Sequence, residues 1–153
     1  MEENKTAKPV IFYGTNPVLR VADLEASISY YVDKLGFHIN WQYPKMADVG
    51  RGRTSIFLSV GDQGHPGSWV WIGVNNVEAL HEEYLASGAK IRNPPNNYEW
   101  ALEMQVEDLD GNVLRIGSDS MPDRPPAEWL DMYGVRWKET APRQWERQPP
   151  EGT

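Results

Sequence analysis

The sequence predicts an α+β fold: two tandem βαβββ units forming a curved mixed sheet with a cleft, followed by a C-terminal extension. Three observations carry this. The stretches Val18 to Ala26 (VLRVADLEA) and Trp71 to Ala79 (WIGVNNVEA) repeat one another 53 positions apart, pairing Val21 with Val74, Asp23 with Asn76 and, beyond them, Tyr31 with Tyr84. Each copy runs apolar strand, capping residue, helical stripe, glycine stop (Gly36, Gly88) and return strand. Asp110-Gly111, set between two runs rich in β-formers, is a strong hairpin signal. A unit repeated in this way leaves a cleft between its halves, and what lines that cleft decides the function.

The elements follow in order. Val10 to Val21 is rich in β-formers, with Pro17 marking an edge or a bulge. Asp23 caps a helix running to about Leu35, which Gly36 ends in a left-handed conformation. Leu24, Ile28, Tyr31 and Leu35 form its apolar stripe. Phe37 to Tyr43 and Thr54 to Val60 read as strands joined through a polar turn, Gly50 to Arg53 (GRGR). Asp62 to Ser68 is the hinge between the halves. Trp69 to Val74 is the next strand, Asn76 caps the second helix and Gly88 stops it. Lys90 to Arg92, about Trp100 to Val106, and Asn112 to Ser118 complete the second half.

These signals place one domain at residues 1–120, its repeats at about 10–62 and 67–118, with an extension over 121–153. Residues 1–9 read as an arm, frayed or exchanged with another copy. The extension holds six of the chain's twelve prolines, and Trp129, Trp137 and Trp145. Pro126 to Leu130 has the pattern of a short helix, and the tryptophans are expected to anchor the tail onto the body, with ligand contact as the alternative.

Composition narrows the function. The chain of 153 residues has no cysteine, which excludes disulfides, thiolate metal sites and a cysteine nucleophile. The polar start and the lack of a long apolar run argue against a leader or a membrane span, so a cytoplasmic protein is expected. The formal charge is −7; six acids and five bases lie from Met121 onward, so the preceding body carries −6. An acidic body opposes nucleic acid and attracts cationic ligands. No Ser–His–Asp spacing, phosphate loop or paired-carboxylate motif is present, and His38, His65 and His81 stand apart from one another.

Asn16 to Ser27 (NPVLRVADLEAS), Tyr30-Tyr31 and Leu35 to Phe37 resemble the vicinal oxygen chelate superfamily, as does the closing turn Glu107 to Asn112 (EDLDGN). The resemblance covers roughly residues 10–118. That superfamily hosts glyoxalases, dioxygenases, epimerases and binding proteins, so it implies the fold more sharply than the function. Its metalloenzymes set one ligand on each of four strands, and those places fall at or near Asn16, Phe57, Trp69 and Arg115. None is a histidine or carboxylate. Two have no usable lone pair and the last is a permanent cation, so no metal or other cofactor is expected.

With those places turned aromatic, the chain is similar to the bleomycin-resistance branch, most closely at Trp69 to Val74 (WVWIGV), Glu78 to Leu80 and Trp100. The resemblance implies a homodimer that catalyses nothing and holds a planar, cationic drug in a cleft between copies. It implies Trp100 as the aromatic against the drug's flat arm. Strand alternation sets Trp69 beside Trp71 on the cleft face, with Phe57 and Arg115 joining them. Trp100 then stands at the lip, after a mobile segment ending at Tyr98. Trp41 and Tyr43 share another strand face and line the partner side, with core packing as the alternative. Glu103 and Glu99 are the candidate partners for a cationic tail. Arg115 opposes a cation in the cleft unless a carboxylate neutralises it; the alternatives are that it stacks on Trp69 or Trp100, or marks a ligand bearing an anionic group. Two other readings stay open: an enzyme of the same fold acting on a small metabolite, and a non-catalytic protein whose tail docks a partner.

Overall fold

In the computed structural model, which describes residues 8–123 and 125–150, both helices begin where the repeat points. Strand β1 (Val18–Arg20) leads to helix α1 (Leu24–Asp33), whose N-cap Asp23 accepts a hydrogen bond from the Ala26 amide at 3.0 Å. Strands β2 (His38–Gln42), β3 (Met46–Arg51) and β4 (Thr54–Ser59) complete the first unit. The second repeats it as β5 (Trp69–Gly73), α2 (Val77–Ser87), β6 (Lys90–Asn97), β7 (Leu102–Glu107) and β8 (Val113–Ser118). Asn76 caps α2 through the Ala79 amide at 3.0 Å, and Gly88 ends it at φ 79°, where a side chain would be strained.

Each unit forms its own four-stranded mixed sheet, ordered β1-β4-β3-β2 and β5-β8-β7-β6, with β1 and β5 parallel to their neighbours. One face of each sheet carries the core: Leu19, Ala47, Val49, Ile56 and Leu58 in the first; Met104, Val106, Leu114 and Ile116 in the second. Leu24, Ile28, Tyr31 and Tyr84 supply the helical side of this one continuous cluster. Burying each such side chain contributes roughly 1.5–3 kcal/mol.

Polar contacts lock the units together at both ends of α1. The Tyr31 hydroxyl donates to Asp108 at 3.0 Å, and Asp110 accepts from the Ala22 amide at 2.9 Å. Arg51 holds Glu83 through two nitrogens, while the Tyr84 hydroxyl donates to the Leu35 carbonyl at 2.8 Å. The closing turn is built on Asp108, whose carboxylate accepts from the Asp110 and Asn112 amides at 2.8 and 2.9 Å.

Several expectations need correction. Val10 to Pro17 is not strand, and Val10, Ile11, Phe12 and Tyr13 are exposed; residues 1–7 of the expected arm lie outside the described residues. Met46–Arg51 is a full strand, so the turn is only Gly52-Arg53, between paired Arg51 and Thr54. The segment expected to be mobile, 93–98, mostly belongs to β6, an edge strand with two register shifts, where prolines are tolerated. No helix forms at 126–130: Glu128–Leu130 is strand β9, which pairs with β10 (Arg136–Ala141), itself paired with β11 (Gln144–Arg147). The tail is thus a third, antiparallel sheet. Among the described residues no helix is long and apolar enough to cross a membrane.

Candidate ligand-binding site

Because β-strands alternate, every core residue of the two sheets has a neighbour aimed at the helix-free face. On the first sheet the pairing register sets Trp41 opposite Asp48, Asp48 opposite Phe57, and Phe57 opposite Val18, one row across four strands. The rings of Trp41 and Phe57 lie 5.2 Å apart at 57°, and those of Trp41 and Tyr43 lie 5.6 Å apart at 58°. Tyr43 is 67% exposed. Asp48 is buried within this row and accepts hydrogen bonds from the Ser55 hydroxyl and, at 3.2 Å, the Asn40 amide.

The second sheet carries Trp69, Trp71, Glu103, Gln105, Arg92 and Arg115 on the corresponding face. Glu103, 1% exposed, is its hub. One carboxylate oxygen accepts from both indoles, Trp71 and Trp100, at 3.0 Å each, and from Arg115 at 3.1 Å. The other takes the Arg115 Nε at 2.8 Å. The carboxylate therefore neutralises Arg115 and orients two indoles whose outer surfaces stay open, Trp71 53% and Trp100 52% exposed.

The tail roofs the rest of this face. Trp129 sits 6.1 Å from Trp69, 6.1 Å from Trp100 and 5.6 Å from Tyr98. Tyr98 stacks on Trp100 at 4.6 Å and 3°, and also meets Trp145 at 6.1 Å. Gln105 and Arg92 both donate to the Leu130 carbonyl, at 2.9 and 3.0 Å. The Arg92 guanidinium lies 5.2 Å over Trp69, and that of Arg115 lies 5.2 Å over Trp129, inside cation–π range. Burial pulls the Arg92 guanidinium below its usual value and pushes the Tyr98 phenol well above the usual range, the hydroxyl donating to the Glu128 carbonyl.

The four places expected to carry metal ligands do not fit an ion. Asn16 donates its amide to the Ser55 carbonyl at 3.3 Å, Phe57 packs on Trp41, Trp69 lies beneath a guanidinium, and Arg115 is paired with Glu103. A hard divalent cation finds no carboxylate or imidazole at any of these places. Among the described residues no group of three His, Cys, Asp or Glu side chains is arranged to hold a metal.

The predicted residues fall into two groups. Trp41, Tyr43 and Phe57 meet one another; Trp69, Tyr98 and Trp100 meet through Trp129, and Trp71, Trp100 and Arg115 through Glu103. No ring contact among the described residues joins the groups, so Phe57 does not share a wall with Trp69 within one chain. Glu103, expected to meet a ligand's cation, spends its charge on Arg115 instead. Arg115 lies over Trp129, not over Trp69 or Trp100. A groove of about 870 Å³ at the seam of the units, lined by Phe37, Arg51, Ile72, Leu80, Glu83 and Tyr84, contains none of the aromatic candidates except by adjacency along β5. Sequence reasoning passed over Asp48, Arg92 and Gln105. Period-2 alternation with the core residues was the available signal; no strand is expected at Asp48, and Arg92 and Gln105, although within expected strands, carry no motif of their own.

Comparison with known proteins places this geometry. The model of the glyoxalase/bleomycin resistance protein/dioxygenase superfamily matches residues 15–116. Among solved structures, the bleomycin-binding protein of bleomycin-producing Streptomyces verticillus, complexed with copper(II)-bleomycin, is 27% identical, with TM-score 0.63, over 73% of this chain and 100% of that one. TnmS3, an antibiotic binding protein from Streptomyces sp. CB03234, shares the fold at 20% identity and TM-score 0.62, over 73% of this chain and 100% of its own. A glyoxalase/bleomycin resistance protein/dioxygenase from Nocardioides does so at 21% and 0.59, over 76% and 90%. No curated protein gives a significant sequence match. Two βαβββ units, the closing turn and a match across two-thirds of its length establish that the chain belongs to the glyoxalase/bleomycin resistance protein/dioxygenase superfamily.

Proposed function

We propose that this is a metal-independent binding protein that confers resistance by sequestering a planar, cationic, bleomycin-type antibiotic in an aromatic cleft. The observation that carries the reading is the exchange at the four metal places: rings and a neutralised arginine stand where an enzyme of this fold needs hard ligands. The 27% identity to a bleomycin-binding protein across that protein's whole length supports the same ligand class. The first helix-free face is an open aromatic surface in one chain, and the second stays open at Trp71 and Trp100 beside the tail. A homodimer that sets the first face of one copy against the second face of the other closes a cleft around a ligand. Trp100 and Trp71 then supply platforms for a flat heterocycle, with Trp41, Tyr43 and Phe57 opposite.

Titration with metal-free bleomycin, followed by tryptophan fluorescence, tests this. Saturable binding at micromolar concentration is expected, with sedimentation giving twice the 17.5 kDa chain mass. Trp100→Ala weakens binding about tenfold, the equivalent of one stacking contact of roughly 1–3 kcal/mol. No saturable change, or stoichiometric bound metal with turnover of a small metabolite, defeats the proposal.

A further inference from the structure

The two helix-free faces treat charge in opposite ways. On the second, the cations are the protein's own: Arg92 over Trp69 and Arg115 over Trp129, each at 5.2 Å, with Glu103 as counter-ion to Arg115. The first face has the rings and the acid, and its β1 cation, Arg20, stands opposite Ser59 and donates to the Gln63 carbonyl at 3.2 Å, not to Asp48. Asp48, 7% exposed, accepts from two neutral donors, and none of the ion pairs among the described residues involves it. A buried carboxylate without a cationic partner, standing in one cross-strand row with Trp41 and Phe57, is half of a cation site.

Ring geometry sharpens the ligand class. Tyr98 and Trp100 stack within 3° of parallel, the arrangement that extends onto a further flat ring. Trp41 is tilted 57° to Phe57 and 58° to Tyr43, so these three rings form corners. A corner suits a compact, rounded group that touches several π-faces at once. Cation and acid also need not touch, since field from a poorly solvated carboxylate reaches farther than it would through water.

We propose that Trp41, Tyr43, Phe57 and Asp48 form a seat for an alkylammonium group, taking from a ligand the cation that the second face supplies from its own arginines. The seat rests on the reading of these faces as a small-molecule site, and divides the work: the ligand's charged head goes to the first unit and its flat part to the indoles of the second.

The test uses the full chain with choline and its neutral carbon isostere, 3,3-dimethylbutan-1-ol, followed by NMR of the Trp41 indole N–H. Choline gives a saturable shift, and the isostere binds at least tenfold more weakly. Asp48→Asn, which keeps an acceptor for Ser55, reduces choline affinity about tenfold, whereas Glu82→Gln, at an exposed carboxylate on α2 away from both faces, leaves it unchanged. If Asp48→Asn fails to fold, Tyr43→Leu at an exposed ring serves instead, with a severalfold loss expected. Equal binding of choline and the isostere, or full choline affinity in the Asp48→Asn or Tyr43→Leu protein, overturns the seat. A parallel bleomycin titration separates the two proposals: choline preference without bleomycin binding upholds the seat and defeats the drug reading, and the converse does the opposite.

Discussion

Glu103 is the residue on which the second face depends, and its removal has a calculable cost. Its side chain is 0% exposed and that of Arg115 29%, with two hydrogen bonds of 2.8 and 3.1 Å between them. Deleting one member of a buried pair strands the other, at about 3–5 kcal/mol. Glu103→Ala also takes the acceptor from two indole N–H groups, but Trp71 and Trp100 are half exposed and water replaces it there, so they add little. For a chain of this size, a loss of 3–5 kcal/mol corresponds to roughly 6–20 °C in Tm. The pair Glu103→Leu with Arg115→Leu leaves no stranded charge, and is expected to cost at least 2 kcal/mol less than the sum of the single changes. Urea denaturation of the four proteins measures this coupling. If the single changes each cost under 1 kcal/mol, or if the double change is simply additive, the carboxylate is not the hub described here.

Other outcomes follow from particular contacts. Trp129→Ala removes the centre of the roof over Tyr98, Trp69 and Trp100; a buried tryptophan costs about 3–5 kcal/mol, and this half-buried one is expected to cost about 2 kcal/mol in urea denaturation. Burial holds the Asp108 carboxyl above its ordinary 3.8, so the folded chain keeps a proton that the unfolded chain releases. Stability from this group is therefore greatest at or below that value and falls as pH rises toward the folded pKa. Asp108→Asn removes the titration, so its deficit against the parent, about 1–3 kcal/mol for lost acceptors, narrows from pH 4 to pH 7 when both are unfolded in urea. Gly88→Ala costs about 1 kcal/mol by thermal melting, because its φ of 79° is strained for alanine while the new Cβ meets only the flexible end of Lys34 at 3.6 Å.

What could be read before any coordinates was whatever is written locally. Asp23 and Asn76 announce the helices because an N-cap is a short-range bond, three residues long, and Gly88 announces the stop because its backbone conformation excludes most other residues. Strand β3 was illegible for an equally physical reason. Gly50 reads as turn, yet it sits mid-strand because a Cβ there would come within 2.9 Å of the Thr54 carbonyl oxygen and 2.7 Å of the Asn40 amide. The prolines of β6 likewise mimic a loop, since only the pairing order reveals that the strand is at an edge. Glu103 could be named as a candidate but not understood: its partners Trp71 and Arg115 lie 32 and 12 residues away, and only the registers of β5 with β8 and of β8 with β7 bring them together.

The tail changes how far likeness to shorter relatives carries. The family match ends at residue 116, and the Streptomyces verticillus protein is covered completely by 73% of this chain, so the third sheet lies beyond what the two share. That added sheet is not a passive appendage. It places Trp129 against Trp69, one of the four places expected to carry metal ligands, and ties Leu130 to Arg92 and Gln105. Trp69 is thereby partly covered, by Trp129 and by the Arg92 guanidinium, while Trp71 and Trp100, held by Glu103, stay about half exposed beside it. In the proposed complex a flat ligand on this unit lies toward those two indoles. Trp69→Leu should accordingly reduce stability without changing ligand affinity, and Trp71→Leu should do the reverse. Paired urea and fluorescence titrations check both, and an affinity loss in Trp69→Leu equal to that in Trp71→Leu would show that the roof moves aside.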